Sequence, residues 1–393
     1  MPKSSLARAR LRLPCIAGPS RYSYNINTTL LPSNSAPFFL SMSLDLLPVE
    51  LVIAVAELLG PFSSFDFALT SKAHWKLCEF IITKHRQLFA ENHTIDATDS
   101  AYPYTNHILW DKLKEISANE TVGEYVREIS LPSQRATYLD GDAAHDFQLS
   151  DQSARPPLED LDRYIKIRQR IEKLYGWEAT APEYTFFGTD WDEWILRGSS
   201  EPIIVMLTHY TPHLRVFRFT DLEMDEIFSN AVRIIAASYS RPSLAPKLPF
   251  QHLTTVAVAH WDSEMSCHSD WCIFFCAIPS VRNFVANAMS GDESDDSHEY
   301  LPVSNVTELV FCNSVFPTST IENIVCRTPK LERFSYERGD ATVSESVTPT
   351  PRRDLKALVD HVGHSLQHLV LESRDRMDDE VSFMPFRISR LIN

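Results

Sequence analysis

The sequence lacks an apolar run long enough to span a membrane. A spanning helix needs about 20 consecutive apolar residues, whereas the most apolar segment, residues 44–60, is shorter and is interrupted by Asp45, Glu50 and Glu57. It also lacks basic clusters beyond the N-terminus, and its formal net charge is −15. Because nucleic-acid affinity depends on clustered Lys and Arg, we predict neither a membrane nor a nucleic-acid partner. A protein or small-molecule partner is favoured.

Cysteine is sparse as well. The seven cysteines are odd in number and too few for a disulfide scaffold, which favours the reducing cytoplasm or nucleus. Three of them lie near two histidines in the sequence, as Cys267, Cys272, Cys276, His260 and His268. Their spacing differs from the paired spacing of zinc sites, so we interpret them as buried free thiols and predict no metal and no cofactor.

Catalytic signatures are missing too. The chain contains no Gly-x-Ser-x-Gly, no His-Glu-x-x-His, no phosphate-binding glycine loop and no dinucleotide fingerprint. We therefore predict that the protein is not an enzyme. The alternative left open is a hydrolase with a free cysteine nucleophile and scattered site residues.

What the sequence does contain is enough apolar material for a large core. Its 393 residues are 44% apolar, which suits one large or two to three ordinary domains. Residues 1–43 differ from the rest, because they carry five basic residues, no Asp or Glu, and many Ser, Pro and Asn. We predict a disordered basic tail there, with a transit peptide as the alternative.

The apolar run predicts a helix over residues 48–59, ended by Gly60-Pro61. Apolar side chains occupy most of its circumference, so it must be covered on two sides. A short helix over 65–69, a Thr-Ser cap and a longer helix over 72–88 follow. Three helices in a segment this short bury little surface, so one covered side belongs to this module and the other requires a partner.

The segment LPVELVIAVAELL followed by FDFALTSKAHW resembles an F-box, whose pattern is Leu-Pro-x-Glu-Leu, an apolar helix, an Asp-Leu-like turn, a Leu-Thr-Ser-like cap and a Lys/Arg-x-x-Trp helix. The resemblance covers residues 44–89 and departs from the pattern at Phe67 and in the loop 61–64. F-box proteins are substrate receptors of SCF ubiquitin ligases, and the F-box docks on a Skp-type linker protein of a cullin complex. The resemblance thus implies linker contacts by Leu47, Pro48, Leu51, Val55, Leu58, Leu59, Phe65, Leu69 and Trp75. The alternative is an internal core helix of a larger α domain.

A weak repeat follows this module. The pattern apolar-x-x-apolar-x-apolar begins at residues 126, 214, 253, 281, 306, 331 and 366, with helix-like segments between several copies. A strand, a turn and a helix that recur in each copy of the pattern are typical of leucine-rich repeats. In these repeats each unit packs against its neighbours. The Asn or Cys that normally follows the strand is missing, which is similar to the degenerate repeats of fungal F-box proteins. We therefore predict an α/β chain with a three-helix F-box and an irregular leucine-rich-repeat-like solenoid over 90–393, with an insertion at 134–200 that includes a helix over 157–175.

Residues that alternate with the buried repeat positions should point out of the concave side of such a solenoid. They form three predicted rows: Val216, Thr255, Asn283, Glu308, Arg333 and His368; Arg218, Ala257, Val285, Val310, Ser335 and Val370; and Thr220, Ala259, Asn287, Cys312, Glu337 and Glu372. The mixture of apolar and charged residues suits a protein partner. We predict substrate contacts by Val216, Arg218, Asn283, Glu308, Arg333, Glu337 and His368.

These observations predict a substrate receptor of an SCF-type ubiquitin ligase, which docks a Skp-type linker through its F-box and recruits a protein substrate through its repeats. A scaffold protein of the same fold that acts outside any ligase is the main alternative.

Overall fold

The computed structural model describes residues 47–97, 106–131, 156–175, 191–197, 200–221, 226–260, 266–291, 300–339, 351–373 and 386–389. By its internal contacts the chain divides into Met1–Pro48 and Val49–Asn393. The predicted basic tail and most of the predicted insertion lie outside the described residues. The fold described below is that of the second unit.

Three helices open this unit: α1 (Val49–Leu58), α2 (Pro61–Leu69) and α3 (Lys72–Asn92). Alanine and isoleucine side chains on their inner sides form a small core around Ala56, Ala68 and Ile81. The Ser71 hydroxyl accepts a hydrogen bond from the His74 backbone N–H at 3.0 Å, which confirms the predicted cap of the third helix.

The second helix begins at Pro61, so the predicted start at Phe65 was wrong. Gly60 adopts an extended conformation with φ −65° and ψ 168° and stands as the N-cap, and Pro61 occupies the first turn. A fixed proline φ suits that position. The Gly-Pro pair therefore ends α1 and also begins α2. The third helix continues to Asn92, beyond the predicted end at residue 88.

Ser64 joins α2 to the end of α1. Its hydroxyl is fully buried and lies 3.0 to 3.1 Å from the carbonyl oxygens of Ala56, Leu59 and Gly60. We expect Ser64→Ala to lower the free energy of unfolding by about 1 kcal/mol, because the hydrogen bond that the buried hydroxyl donates to the end of α1 is lost. The matched control is Ser63→Ala at the exposed neighbouring serine, which should change it by less than about 0.5 kcal/mol. Urea unfolding measures both, and equal effects would contradict the assigned role of Ser64.

The rest of the unit is built on a sheet. Its strands and those of a small second sheet are β1 (Thr94–Asp96), β2 (Glu128–Leu131), β3 (Val216–Asp221), β4 (Thr255–His260), β5 (Cys267–His268), β6 (Asn283–Asn287), β7 (Met289–Ser290), β8 (Glu308–Ser314), β9 (Arg333–Arg338), β10 (His368–Ser373) and β11 (Phe386–Ser389). The large sheet has nine strands in the order β1-β2-β3-β4-β6-β8-β9-β10-β11, and β5 pairs with β7. All neighbours in the large sheet are parallel except β10 and β11. The predicted α/β class is confirmed.

Nine further helices are described: α4 (Asn106–Ala118), α5 (Glu120–Gly123), α6 (Leu158–Tyr175), α7 (Trp191–Arg197), α8 (Ser200–Tyr210), α9 (Glu226–Ser238), α10 (Asp270–Cys276), α11 (Thr318–Cys326) and α12 (Pro351–Val362). Helices α9 and α10 pack on one face of the sheet. Phe217 of β3, for example, contacts Phe228 of α9 and Phe275 of α10 with ring centroids 5.7 and 6.0 Å apart. Among the described helices, none is long and apolar enough to cross a membrane.

The seven predicted repeats supply the strands from β2 to β10, apart from the two short strands β5 and β7. All of their apolar positions are buried except Leu371, which is half-buried. The backbone hydrogen bonds between neighbouring strands begin one residue before each strand. For example, the Arg215 N–H donates to the Arg127 carbonyl at 2.8 Å. In β4 the side chains alternate strictly between buried and half-buried. One face of the sheet therefore packs on helices, and the opposite face is partly open.

The helix predicted inside the insertion is α6. Its Tyr164 ring lies 4.5 Å from the Trp110 ring of α4, and its Tyr175 hydroxyl lies 3.0 Å from Nε2 of His209 in α8. Trp191 of α7 is buried. The neighbouring Asp192 forms an ion pair with Arg168 of α6 at 3.2 Å.

Candidate protein-binding surfaces

The first candidate surface is an apolar area on α1 and α2. Val52 and Ala56 of α1 turn inward and are buried, and the i+3 and i+4 spacing places other large residues on the outer side. We define the helical apolar face as the five exposed side chains that share this property, namely Leu51, Val55, Leu58, Phe65 and Leu69. Leu51 is 51% and Leu58 87% exposed. Exposed groups of large apolar side chains are typical of interaction sites.

The remaining predicted linker contacts differ in exposure. Pro48 is exposed, whereas Leu47 and Leu59 are half-buried. Trp75 is half-buried and packs on the small core of the helical module, with its ring 6.1 Å from that of Phe65. Trp75 therefore packs behind the helical apolar face and adds little to its exposed surface.

Sequence reasoning missed further exposed apolar side chains on the same three helices, Val49, Phe62, Phe80 and Phe89. A signal for Phe62 was present, because it precedes Phe65 by three residues and Leu69 by seven, the spacing of one helix face. It was not used because α2 was predicted to begin after Phe62.

The second candidate surface is the open face of the sheet. The strand register aligns Val216, Thr255, Asn283, Glu308, Arg333 and His368 across six neighbouring strands. A second aligned set contains Arg218, Ala257, Val285, Val310, Ser335 and Val370. The structure thus brings the first two predicted rows together, and we name these two rows the open sheet face.

The third predicted row is not continuous. Thr220 is buried, contrary to the prediction. Between β8 and β9 the register shifts, so Phe311 lies opposite Tyr336 but Ser314 lies opposite Arg338. An extra residue in one strand displaces the side chains that follow, and Asn313 has the left-handed φ of 47°. Glu337 consequently aligns with Glu372 of β10 and not with Cys312.

The charged residues of the open sheet face are already paired. Arg218 forms an ion pair with Glu128 of β2, and Arg333 Nη2 lies 3.0 Å from Glu308 Oε2. The Asn283 amide group lies 3.3 Å from the same carboxylate. Between these pairs the face presents the small apolar residues Ala257, Val285 and Val310, which are half-buried. A partner can therefore gain apolar contact at the centre and polar contact at the sides.

The three cysteines that lie near His260 and His268 in the sequence do not have the environment of a nucleophile. Cys267, Cys272 and Cys276 are buried, and the sulfur atoms of Cys272 and Cys276 lie 3.7 Å apart. Burial raises the pKa of Cys272, which keeps this thiol protonated, whereas reactive cysteines have a lowered pKa and access to solvent. Across the described ranges, no group of three potential ligands is arranged to hold a metal ion.

The helical apolar face and the open sheet face thus differ in chemistry. The first is almost purely apolar, and the second combines small apolar residues with ion pairs. A comparison of the chain with protein-family models, curated proteins and solved structures finds no match.

Proposed function

We propose that this protein is a substrate receptor of an SCF-type ubiquitin ligase. The helical apolar face docks a Skp-type linker protein, and the open sheet face recruits a protein substrate. The receptor carries out no chemistry itself. It holds the substrate near the subunits that transfer ubiquitin and so raises the effective concentration of the substrate there.

The observation that carries this proposal is the exposure of large apolar side chains in the segment that resembles an F-box. Leu58 and Leu69 lie largely in solvent, at 87% and 60% exposure. Each large apolar side chain that is fully buried contributes about 1.5–3 kcal/mol, so covering this face strongly favours a complex. The resemblance to an F-box supports a partner of the Skp type.

The aligned strands support the second half of the proposal. Each strand from β2 to β10 in the large sheet pairs with its neighbour in parallel, and the buried positions repeat in register. This is the arrangement expected of an irregular leucine-rich-repeat solenoid. In such repeats the residues beside the buried positions form an extended binding surface.

Purification of the full chain from cells tests the proposal. If the protein is a ligase receptor, a Skp-type linker and a cullin should both copurify, and substrates should accumulate on it when the proteasome is inhibited. Recovery of the linker without a cullin would support the scaffold alternative instead. Recovery of neither would contradict both.

A charge exchange on the open sheet face tests substrate recruitment. We expect the substitutions Glu128→Arg, Arg218→Glu, Glu308→Arg and Arg333→Glu, made together, to reverse the charge pattern while keeping both ion pairs. Substrate recovery should fall about tenfold or more, because like charges then meet across the interface.

Linker binding by the same variant is the internal control and should not change. The midpoint of thermal unfolding should also stay the same, because each ion pair is rebuilt with its charges exchanged. An unchanged substrate profile would place recruitment elsewhere, with residues 134–200 as the next candidate.

A further inference from the structure

Four basic side chains meet where the strands of the sheet begin. Arg127 and Arg215 directly precede β2 and β3, and their backbones are joined by the 2.8 Å hydrogen bond of the ladder. The His213 ring lies 5.2 Å from the His252 ring. We define the basic edge cluster as Arg127, Arg215, His213 and His252. It belongs neither to the helical apolar face nor to the open sheet face.

Arg127 is held rigidly within this cluster. Its Nη1 donates to the carbonyl oxygens of Glu124 and Val126 at 2.6 and 2.8 Å. Its Cζ lies 5.1 Å from the ring centroid of Phe62 in α2 and 5.6 Å from that of Phe89 in α3, as in a cation–π contact. Both hydrogen bonds use Nη1, so Nε and Nη2 remain able to donate to an incoming acceptor.

The positive charge of the cluster is carried by Arg127 and Arg215, in a chain whose formal net charge is −15. The pKa of His213 is lowered to about 4, mainly by burial and then by the nearby charges of Arg127, His252 and Arg215. Burial and the nearby charge of Arg215 also lower the pKa of Arg127. The Glu124 carboxylate acts in the opposite direction and raises it. Glu124 is itself half-buried. Its Oε2 lies against Gly60, only 2.8 Å from the position that a Cβ would occupy there. The Glu124 carboxylate thus acts on Arg127, whereas the charged groups that act on His213 are Arg127, His252 and Arg215.

We propose that the basic edge cluster binds the carboxylates of an acidic protein segment. Neighbouring strands are about 4.8 Å apart, so two arginines on adjacent strands can each pair with a different carboxylate. Phe62 is 47% exposed and touches His213 edge-on, with centroids 4.9 Å apart. A peptide can cover this ring while its acidic side chains reach the arginines, whereas a small inorganic anion leaves the ring in water.

Fluorescence anisotropy of the full chain with a labelled hexaglutamate peptide tests this inference. We expect saturable binding that weakens as NaCl rises from about 50 to about 300 mM, because salt screens exposed charges. Arg215→Glu should lower the affinity about tenfold or more, since it replaces an attraction by a repulsion. The matched control is Arg241→Glu, an exposed arginine outside the cluster, which should leave the affinity within about twofold.

A second readout follows the histidine directly. In protein labelled at its histidines, the His213 signal, assigned with His213→Gln, should titrate at a higher pKa when hexaglutamate is bound, because a nearby carboxylate favours the charged ring. Absence of binding, equal losses in Arg215→Glu and Arg241→Glu, or displacement of the peptide by an equal concentration of inorganic phosphate would overturn the inference. None of these assays requires the linker or a cullin, so failure here leaves the proposed function standing.

Discussion

Replacing Leu51 by aspartate is expected to abolish binding of the Skp-type linker while the chain stays folded. Leu51 is 51% exposed in the free protein, so the carboxylate is solvated there and disturbs little. In the complex the same carboxylate would be buried without a partner, at a cost of roughly 4 kcal/mol or more. This corresponds to roughly a thousandfold loss in affinity. Isothermal titration with the purified linker measures it.

Two variants control this experiment. Ser63→Asp places the same carboxylate at an exposed position of α2 beside Asp66, away from the helical apolar face, and should bind the linker normally. Leu51→Ala should lose about 1 kcal/mol of binding free energy, because only the exposed part of the side chain is newly buried. Undiminished binding by Leu51→Asp would remove the docking part of the proposed function.

Truncation of Phe217 is expected to have the largest effect on stability. Its ring is fully buried and contacts the rings of Phe219, Phe228 and Phe275 with centroids 5.2 to 6.0 Å apart. Phe217→Ala removes these contacts and leaves a cavity, which should lower the free energy of unfolding by about 3–5 kcal/mol. The midpoint of urea unfolding reports this change.

Phe80→Ala is the control for that variant. Phe80 is 52% exposed on α3, so the same substitution creates no cavity and should change the free energy of unfolding by less than about 0.5 kcal/mol. A small effect at Phe217 would mean that neighbouring rings close the space, and the cluster would then not hold β3 in place as described.

The strands could be predicted because each one carries a strong local signal. In Leu253, Val256 and Val258, for instance, the apolar spacing fixes both the strand and the side that is buried, since side chains alternate in a strand. The rows on the open sheet face followed from the same alternation. They matched the observed register because neighbouring parallel strands are aligned without a shift from β3 to β8.

The parts that were not predicted depend on contacts between distant residues. Neither the bulge at Asn313 nor the reversed pairing of β11 is marked by a repeated pattern in the sequence. The ion pair of Arg218 with Glu128 joins strands whose repeats lie far apart in the chain. The basic edge cluster is likewise assembled from separate segments. Local patterns cannot reveal such neighbours, because only the folded sheet brings them together.

The two edges of the large sheet limit how the protein can polymerise. Open strand edges can pair with strands of other molecules. Among the described strands, the one at the first edge, β1, has three residues, and the one at the other edge, β11, has four and runs against the six-residue β10. A strand from another molecule would form few hydrogen bonds at either edge. Among the described strands, the reversed β11 thus ends the parallel stacking of the large sheet, and its short length disfavours the addition of a strand from another molecule.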